Sequence, residues 1–95
     1  MEEYSRQLKK PEARHRYWHI LKDDRDFFPE SNVLFKLEFD NKTYDMKVNH
    51  KDDVMTGKLY EQYRFLEGDR IIVKRIKKNT YLLEAPDTHL YPKIK

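Results

Sequence analysis

The chain has no cysteine, which excludes disulfides and thiolate metal sites. Gly57 and Gly68 are its only glycines, and no glycine-rich phosphate loop stands out. No apolar run approaches the roughly 18 residues of a membrane helix. The N-terminal residues 1–4 lack the basic-then-apolar order of a signal peptide. We therefore expect a soluble, cytoplasmic protein without a membrane partner.

What remains is the composition of a folded domain with a thin core and a charged surface. The 95 residues suffice for one compact domain but not for two. Charged residues make up 39%, but the 14% aromatic content argues against disorder, because disordered chains are poor in aromatics. The net charge of +3 leans toward an anionic partner without demanding one. Residues 70–78 concentrate positive charge without an acid, as Arg70, Lys74, Arg75, Lys77 and Lys78.

The most informative stretch is a hinge around Gly68. Leu59, Tyr63 and Leu66 recur at helical spacing, and a β-branched strand begins directly after Gly68-Asp69. Glycine suits a reversal that needs positive φ, and Asp69 can bond its own backbone just beyond the turn. The pattern predicts a short helix, a tight turn and a strand.

A β-hairpin is predicted at residues 33–49. Apolar and polar residues alternate on both sides of Asp40-Asn41-Lys42, a triplet that favours a tight turn. Six side chains are predicted to point inward, namely Phe35, Leu37, Phe39, Tyr44, Met46 and Val48.

The fold class predicted from these elements is mostly β, a small antiparallel barrel or pseudobarrel with one or two short helices. Residues 1–14 are expected to be a flexible or partly helical lead-in, residues 15–86 the folded domain, and residues 87–95 an irregular tail. Within the domain, the expected elements are a first strand at 15–22, a polar loop at 22–26, buried anchors Phe27 and Phe28, a polar loop at 49–54, a helix at 57–63 capped by Thr56, and strands at 70–77 and 80–85.

The order of these motifs resembles the DNA-binding pseudobarrel superfamily over roughly residues 15–85. That superfamily includes the plant B-three transcription-factor domains and the N-terminal effector domains of EcoRII-type restriction endonucleases. The hinge alone is also similar to swapped-hairpin transcription factors of the AbrB and MazE type, but the long hairpin fits the pseudobarrel better. The matching pieces are Phe28-Pro29, Phe39-Asp40-x-x-x-Tyr44-x-Met46-x-Val48, Leu59-x-x-x-Tyr63 and Leu66-x-Gly68-Asp69-x-Ile71-x-Val73.

The resemblance implies a module that binds double-stranded DNA by gripping the major groove with two loops, or arms. Lysines can neutralise phosphates, Arg25 can pair with guanine, and Asn49 can pair with adenine. Such a module would be the specificity domain of a restriction enzyme or a small regulator, and it implies no cofactor. No oligomeric state is predicted. The implied contact residues are His19, Lys22 and Arg25 in one arm and Lys47, Asn49, His50 and Lys51 in the other.

The sequence also contains residue pairs typical of nuclease and zinc sites. Asp40-x-Lys42 and Asp45-x-Lys47 each match half of a nuclease metal site, with Glu30 as a further carboxylate. His15 and His19 could bind zinc only if their segment were helical, because in a strand they would lie about 13 Å apart. The chain is expected to be neither an enzyme nor a metal protein. A barrel that stacks single-stranded bases on its aromatic rings and a non-catalytic protein-interaction domain are the alternatives.

Overall fold

The computed structural model describes residues 3–90, so residues 1–2 of the predicted lead-in and residues 91–95 of the predicted tail lie outside it. The described chain is mostly β with few short helices, which confirms the predicted fold class. Its elements are β1 (Glu3–Gln7), α1 (Lys10–His15), β2 (Tyr17–His19), a 3₁₀ helix (Lys22–Phe27), β3 (Phe35–Phe39), β4 (Lys42–Met46), β5 (Asp53–Met55), α2 (Gly57–Gln62), β6 (Tyr63–Arg64), β7 (Arg70–Lys77), β8 (Thr80–Glu84) and β9 (His89–Leu90).

Five strands form one sheet in the order β1-β7-β8-β3-β4. The hairpins β3–β4 and β7–β8 are antiparallel, but β3 and β8 run parallel, with Leu37 opposite Tyr81. Two details of the predicted fold are thereby corrected: the sheet is mixed, and its described strands do not close into a barrel. Turn residues specify pairing only between strands that are neighbours in sequence, so the pairing of one hairpin with another could not be inferred.

The sheet has two ends that matter for the candidate site. At the loop end, β3 begins with Phe35 opposite Met46, the last residue of β4. β8 also begins there, because Thr80 pairs with both Lys36 of β3 and Lys77 at the end of β7. At the opposite end, called the far end below, lie the β3–β4 turn and the start of β7.

The β3–β4 hairpin forms as predicted. Asp40 and Asn41 adopt left-handed φ values of 53° and 62°, the conformation that a two-residue hairpin turn requires. Phe39 is only half-buried and packs against Tyr63, with their ring centroids 4.8 Å apart. The other five side chains predicted to point inward are buried, namely Phe35, Leu37, Tyr44, Met46 and Val48.

The hinge around Gly68 also forms, although the helix before it is shorter than predicted. Gly68 has a φ of 91°, and Asp69 Oδ2 accepts a hydrogen bond from Leu66 N at 2.9 Å. α2 ends at Gln62, and Leu66 lies outside it with half of its side chain exposed. Thr56 occupies the N-cap position but makes no side-chain capping bond. Neither described α-helix is long and apolar enough to cross a membrane.

Residues 3–14 belong to the folded core, which corrects the prediction of a flexible lead-in. β1 pairs along its whole length with β7. Tyr4 and Leu8 are buried, and Tyr4 Oη donates a hydrogen bond to His19 O at 2.8 Å. Burial raises the pKa of the Tyr4 hydroxyl. α1 occupies part of this segment, whereas β1, whose partner strand lies far along the chain, leaves little local signal in the sequence.

Glu12 joins three elements of this N-terminal region, a role that no local pattern in the sequence indicates. Its side chain is buried, and Oε2 accepts hydrogen bonds from Arg6 Nε at 2.5 Å and His19 N at 2.8 Å. Oε1 accepts from Lys9 N at 3.0 Å. Burial alone would lower the pKa of Arg6, but its hydrogen bond and ion pair with Glu12 raise it. One carboxylate therefore connects β1, α1 and β2.

The strand predicted at residues 15–22 is shorter in the structure, where it is β2. The first of these residues belongs to α1 and the last to the 3₁₀ helix. The polar loop predicted next is that 3₁₀ helix. Phe27 and Phe28 are buried as predicted, and Tyr81 Oη donates a hydrogen bond to Phe27 O at 2.7 Å. This bond holds the 3₁₀ helix against the start of β8, at the loop end of the sheet.

The segment after Pro86 is more regular than predicted in its described part. β9 pairs with β6, with Leu90 opposite Tyr63. Asp87 accepts two hydrogen bonds from the Arg70 guanidinium, at 3.0 and 3.2 Å. The predicted polar loop at residues 49–54 similarly contains the start of a strand, β5.

Candidate nucleic-acid interface

The two predicted arms are brought together by the pairing of β2 with β5. These strands are antiparallel, with Trp18 opposite Val54 and both side chains buried. The end of β2 therefore lies beside the start of β5, and the loop that leaves β2 meets the loop that enters β5. We call residues 19–27 and 47–53 together the loop cluster.

Direct contacts join the two halves of the loop cluster. Ile20 N donates to Asp52 O at 2.8 Å, and Arg25 Nε donates to Asp52 Oδ1 at 3.0 Å. His19 Nδ1 lies 2.8 Å from Asp53 Oδ1. The two arms are therefore in direct contact with each other and form one surface feature, called the ridge below.

The Arg25 guanidinium is hydrogen-bonded to several acceptors within this ridge and stabilises its conformation. Besides Asp52, its guanidinium donates to Phe28 O at 3.3 Å and to Pro29 O at 2.7 Å. Only 21% of its side chain is exposed. A planar group with several donors in fixed positions can satisfy such a set of acceptors, whereas an ammonium cannot reproduce it. The side chain that was predicted to pair with guanine therefore holds two parts of the loop cluster together through hydrogen bonds. We call this the strut role of Arg25.

Replacing Arg25 with Ala should lower the free energy of unfolding by about 1.5–3 kcal/mol, the usual range for hydrogen bonds to a charged group. Thermal and urea unfolding would measure the loss. Arg25→Lys should recover only part of it, because lysine cannot reach the carboxylate and both carbonyls together. Lys22→Ala, an exposed change in the same loop, should stay within about 0.5 kcal/mol of the wild type. Equal stability of the Arg25→Ala and Lys22→Ala variants would contradict the strut role.

Asn49 has a similar internal role in the second loop. Its Oδ1 accepts hydrogen bonds from Lys51 N at 2.9 Å and Asp53 N at 3.0 Å, and its Nδ2 lies 3.3 Å from Met55 Sδ. Such side-chain bonds to the following backbone are the usual way in which asparagine closes a turn. Asp52, the residue with left-handed φ of 62°, completes the reversal.

The remaining predicted site residues point to solvent. Lys22, Lys47, His50 and Lys51 are exposed, and their side chains make no hydrogen bond or ion pair to the residues between 3 and 90. The neighbouring acids Asp52 and Asp53 are hydrogen-bonded to Arg25 and His19 respectively. The loop cluster therefore presents exposed lysines on a backbone that internal bonds hold in place, and the acids Asp23, Asp24 and Asp26 lie among them in the first loop.

The basic run at residues 70–78 lies closer to this cluster than the sequence indicated. The guanidinium carbon of Arg75 lies 5.2 Å from the ring centroid of Phe27, the last residue of the 3₁₀ helix. The two arms that the resemblance implies do not include this run. The contact joins residues far apart in the chain, and no local pattern announces it.

The residues considered for metal or nuclease chemistry have other roles in the structure. Asp45 Oδ1 accepts a hydrogen bond from Lys36 Nζ at 2.6 Å, which lowers the pKa of Asp45. Asp40 Oδ2 accepts from Tyr63 Oη at 2.7 Å, at the far end of the sheet. His15 lies in α1, whereas His19 lies in β2 and is hydrogen-bonded to Asp53. Across residues 3–90, no three His, Cys, Asp or Glu side chains are grouped as metal ligands.

Most of the aromatic rings considered for base stacking are inside the protein. Trp18 is 1% exposed, and its Nε1 donates to Tyr60 Oη at 3.1 Å. Tyr60 stacks on Phe65 with ring centroids 4.7 Å apart. Phe35, Tyr44 and Tyr63 are buried as the hairpin and helix patterns predicted, so they offer no face to a nucleic-acid base.

Comparison with solved structures places this architecture beside a known one. The chain is similar in fold to the N-terminal domain of Helicobacter pylori LlaJI.R1, with a TM-score of 0.69 and 14% sequence identity. The similarity covers 90% of this chain and 87% of that chain. No protein-family model matches the sequence, and a search of curated proteins gives no match. The comparison therefore shows that the two domains share a fold.

Proposed function

We propose that this domain binds double-stranded DNA in the major groove through the loop cluster. The observation that carries the proposal is the set of exposed cations on an internally braced ridge. The ridge is the end of a two-stranded β-ribbon, β2–β5, and the major groove is wide enough to admit such a ribbon. The motif order that resembles DNA-binding pseudobarrels and the fold shared with the LlaJI.R1 domain support the same function.

Within the ridge, the predicted contact residues divide into two roles. We assign phosphate contacts to Lys22, Lys47 and Lys51, because long exposed ammonium groups can follow a flexible backbone partner. His50, exposed at the tip of the turn, is positioned for a base edge or a phosphate. The others shape the ridge: Arg25, Asn49 and His19 use their polar atoms on internal partners. Readout of bases then depends on how they place the backbone and the exposed side chains.

We further propose that the domain supplies recognition without catalysis, as the specificity domain of a restriction enzyme or as a small regulator. The carboxylates that suggested a nuclease are engaged elsewhere, Asp45 with Lys36 and Asp40 with Tyr63. Hydrolysis of a phosphodiester by a two-metal site needs carboxylates that converge on shared ions.

Fluorescence anisotropy with labelled duplex DNA, single-stranded DNA and RNA of matched sequence, over a salt series, tests this function. The duplex should bind most tightly without magnesium, and gel analysis after adding magnesium should show intact DNA. A preference for single strands would instead support the base-stacking alternative. Magnesium-dependent cleavage that disappears in Asp45→Ala would show that the domain is a nuclease.

One observation favours a second candidate, a non-catalytic protein-interaction domain. Leu34 and Met55 are 62% and 44% exposed and line one shallow groove beside Lys47. Exposed apolar side chains that share a groove can mark a protein contact. Absence of binding to all three nucleic acids in the same experiment would favour this function over the first.

A further inference from the structure

The tip of the β7–β8 hairpin lies at the same end of the molecule as the loop cluster. Asn79, in the turn of this hairpin, accepts a hydrogen bond through its carbonyl from Lys36 N at 2.8 Å. Lys36 belongs to β3, whose neighbour β4 runs directly into Lys47. On the other side, Arg75 lies over Phe27 of the 3₁₀ helix, as described above. The β7–β8 hairpin therefore contacts β3 through its turn on one side and the 3₁₀ helix through Arg75 on the other.

The tip carries positive charge that the described protein does not neutralise. Lys77 and Lys78 are exposed and form no ion pair or side-chain hydrogen bond with residues 3–90. Two nearby lysines differ in this respect, because Lys74 pairs with Glu84 at 3.3 Å and Lys36 pairs with Asp45 at 2.6 Å. Exposed cations that lie close together repel each other. Two neighbouring lysines without an ion-pair partner therefore favour the binding of an anionic partner.

The sheet geometry sets the distance between this tip and Lys47, which directly follows β4 in the loop cluster. β4 and β7 are separated by three strand intervals, through β3 and β8. At the usual 4.7–4.9 Å per interval, the end of β7 lies about 14 Å from the end of β4. The major groove of duplex DNA is about 12 Å wide, so a ridge that enters the groove leaves the tip near the bordering phosphates.

We propose that Lys77 and Lys78 form a second contact with duplex DNA, to the phosphate backbone at the edge of the groove that the loop cluster enters. This inference rests on the proposed function. It assigns a role to a basic run that the resemblance did not include in either arm. The contact is to phosphates, so it adds affinity and orientation and does not read sequence.

The test measures affinity for a fluorescein-labelled mixed-sequence duplex over a salt series, with Lys77→Ala/Lys78→Ala beside the wild type. Each lost phosphate contact flattens the plot of log affinity against log salt by about 0.9, so the double variant should lose about 1.8 from the slope. Lys77→Gln/Lys78→Gln should behave alike, since charge and not side-chain length carries the effect. Thermal midpoints should match the wild type for both variants.

Two further variants make the outcomes distinguishable. Lys10→Ala/Lys42→Ala removes the same charge from exposed lysines outside the loop cluster and the tip, and should leave the slope unchanged. Lys22→Ala/Lys47→Ala/Lys51→Ala tests the loop cluster itself. If the loop variant weakens binding but the tip variant matches the wild type, the second contact is wrong and the proposed function stands. If neither variant changes binding, both proposals are wrong.

Discussion

Replacing Lys22, Lys47 and Lys51 together with alanine is expected to remove most duplex DNA binding and to leave the thermal midpoint nearly unchanged. All three side chains are exposed and bond to no described residue, and exposed charges add little to stability. Each phosphate contact contributes about 0.9 to the slope of log affinity against log salt, so the slope should fall by nearly three. Anisotropy titrations across salt, combined with thermal unfolding by circular dichroism, measure both quantities.

A control comes from exposed cations outside the loop cluster. Lys10, Arg14 and Lys42 are such cations, and Lys42 begins β4 at the far end of the sheet. Their triple alanine variant has the same net charge as the loop variant. It should therefore keep the slope of the wild type if binding depends on position and not on total charge. Equal losses in the two variants would mean that the loop cluster is not the binding surface.

Replacing Glu12 with alanine is expected to lower the free energy of unfolding by about 3–5 kcal/mol, the usual cost of breaking a buried ion pair by removing one partner. The 2% exposed carboxylate accepts from Arg6 Nε and from the backbone amides of Lys9 and His19. All three donors would lose their acceptor together. Because small domains are stable by only about 5–15 kcal/mol, this single change approaches unfolding. Urea unfolding at neutral pH measures it.

Two other variants separate the buried ion pair from a general loss of negative charge. Glu30→Ala removes a carboxylate that is exposed in the structure and should change stability by less than about 0.5 kcal/mol. Glu12→Gln retains an acceptor oxygen without the charge and should fall between alanine and the wild type. A Glu12→Ala protein as stable as Glu30→Ala would show that the bonds of Glu12 contribute nothing.

The Glu12 bonds also connect the N-terminal region with the candidate site. His19 begins the loop cluster, and its backbone N–H is held by Glu12 while its carbonyl accepts from Tyr4 Oη. Both partners lie in the segment that sequence analysis treated as a lead-in. We therefore expect removal of residues 1–14 to disorder the loop cluster along with the core.

The elements that could be predicted are those whose signals are local. The Asp40-Asn41 turn and the alternation around it specify a hairpin because the residues that pair are neighbours in sequence. The Gly68 turn is specified in the same way by its positive φ. Phe39 shows the limit of such patterns, since its position in the alternation predicted burial but the strand ends where the core does not cover it.

The candidate site was predicted by residue type, and the structure assigned different roles to residues of similar chemistry. Arg25 and Lys22 are both cations of the first loop, but Arg25 bonds Asp52 and two carbonyls while Lys22 faces solvent. Asn49 similarly closes its own turn. Whether a polar side chain is free for a partner depends on which acceptors the fold places within reach, and those acceptors come from distant parts of the chain.

The sequence by itself determined that the chain forms a small β-rich domain, with a hairpin at residues 33–49, a Gly-Asp turn and basic residues in two separate loops. The tertiary structure alone decided that β3 pairs with β8 in parallel, that residues 3–14 complete the core, and that the two loops and the basic hairpin tip share one end. Local backbone preferences and hydrophobic periodicity act over a few residues and are visible in the sequence. Strand pairing and side-chain contacts between distant segments are selected by the packing of the whole core, so no short stretch of the chain contains them.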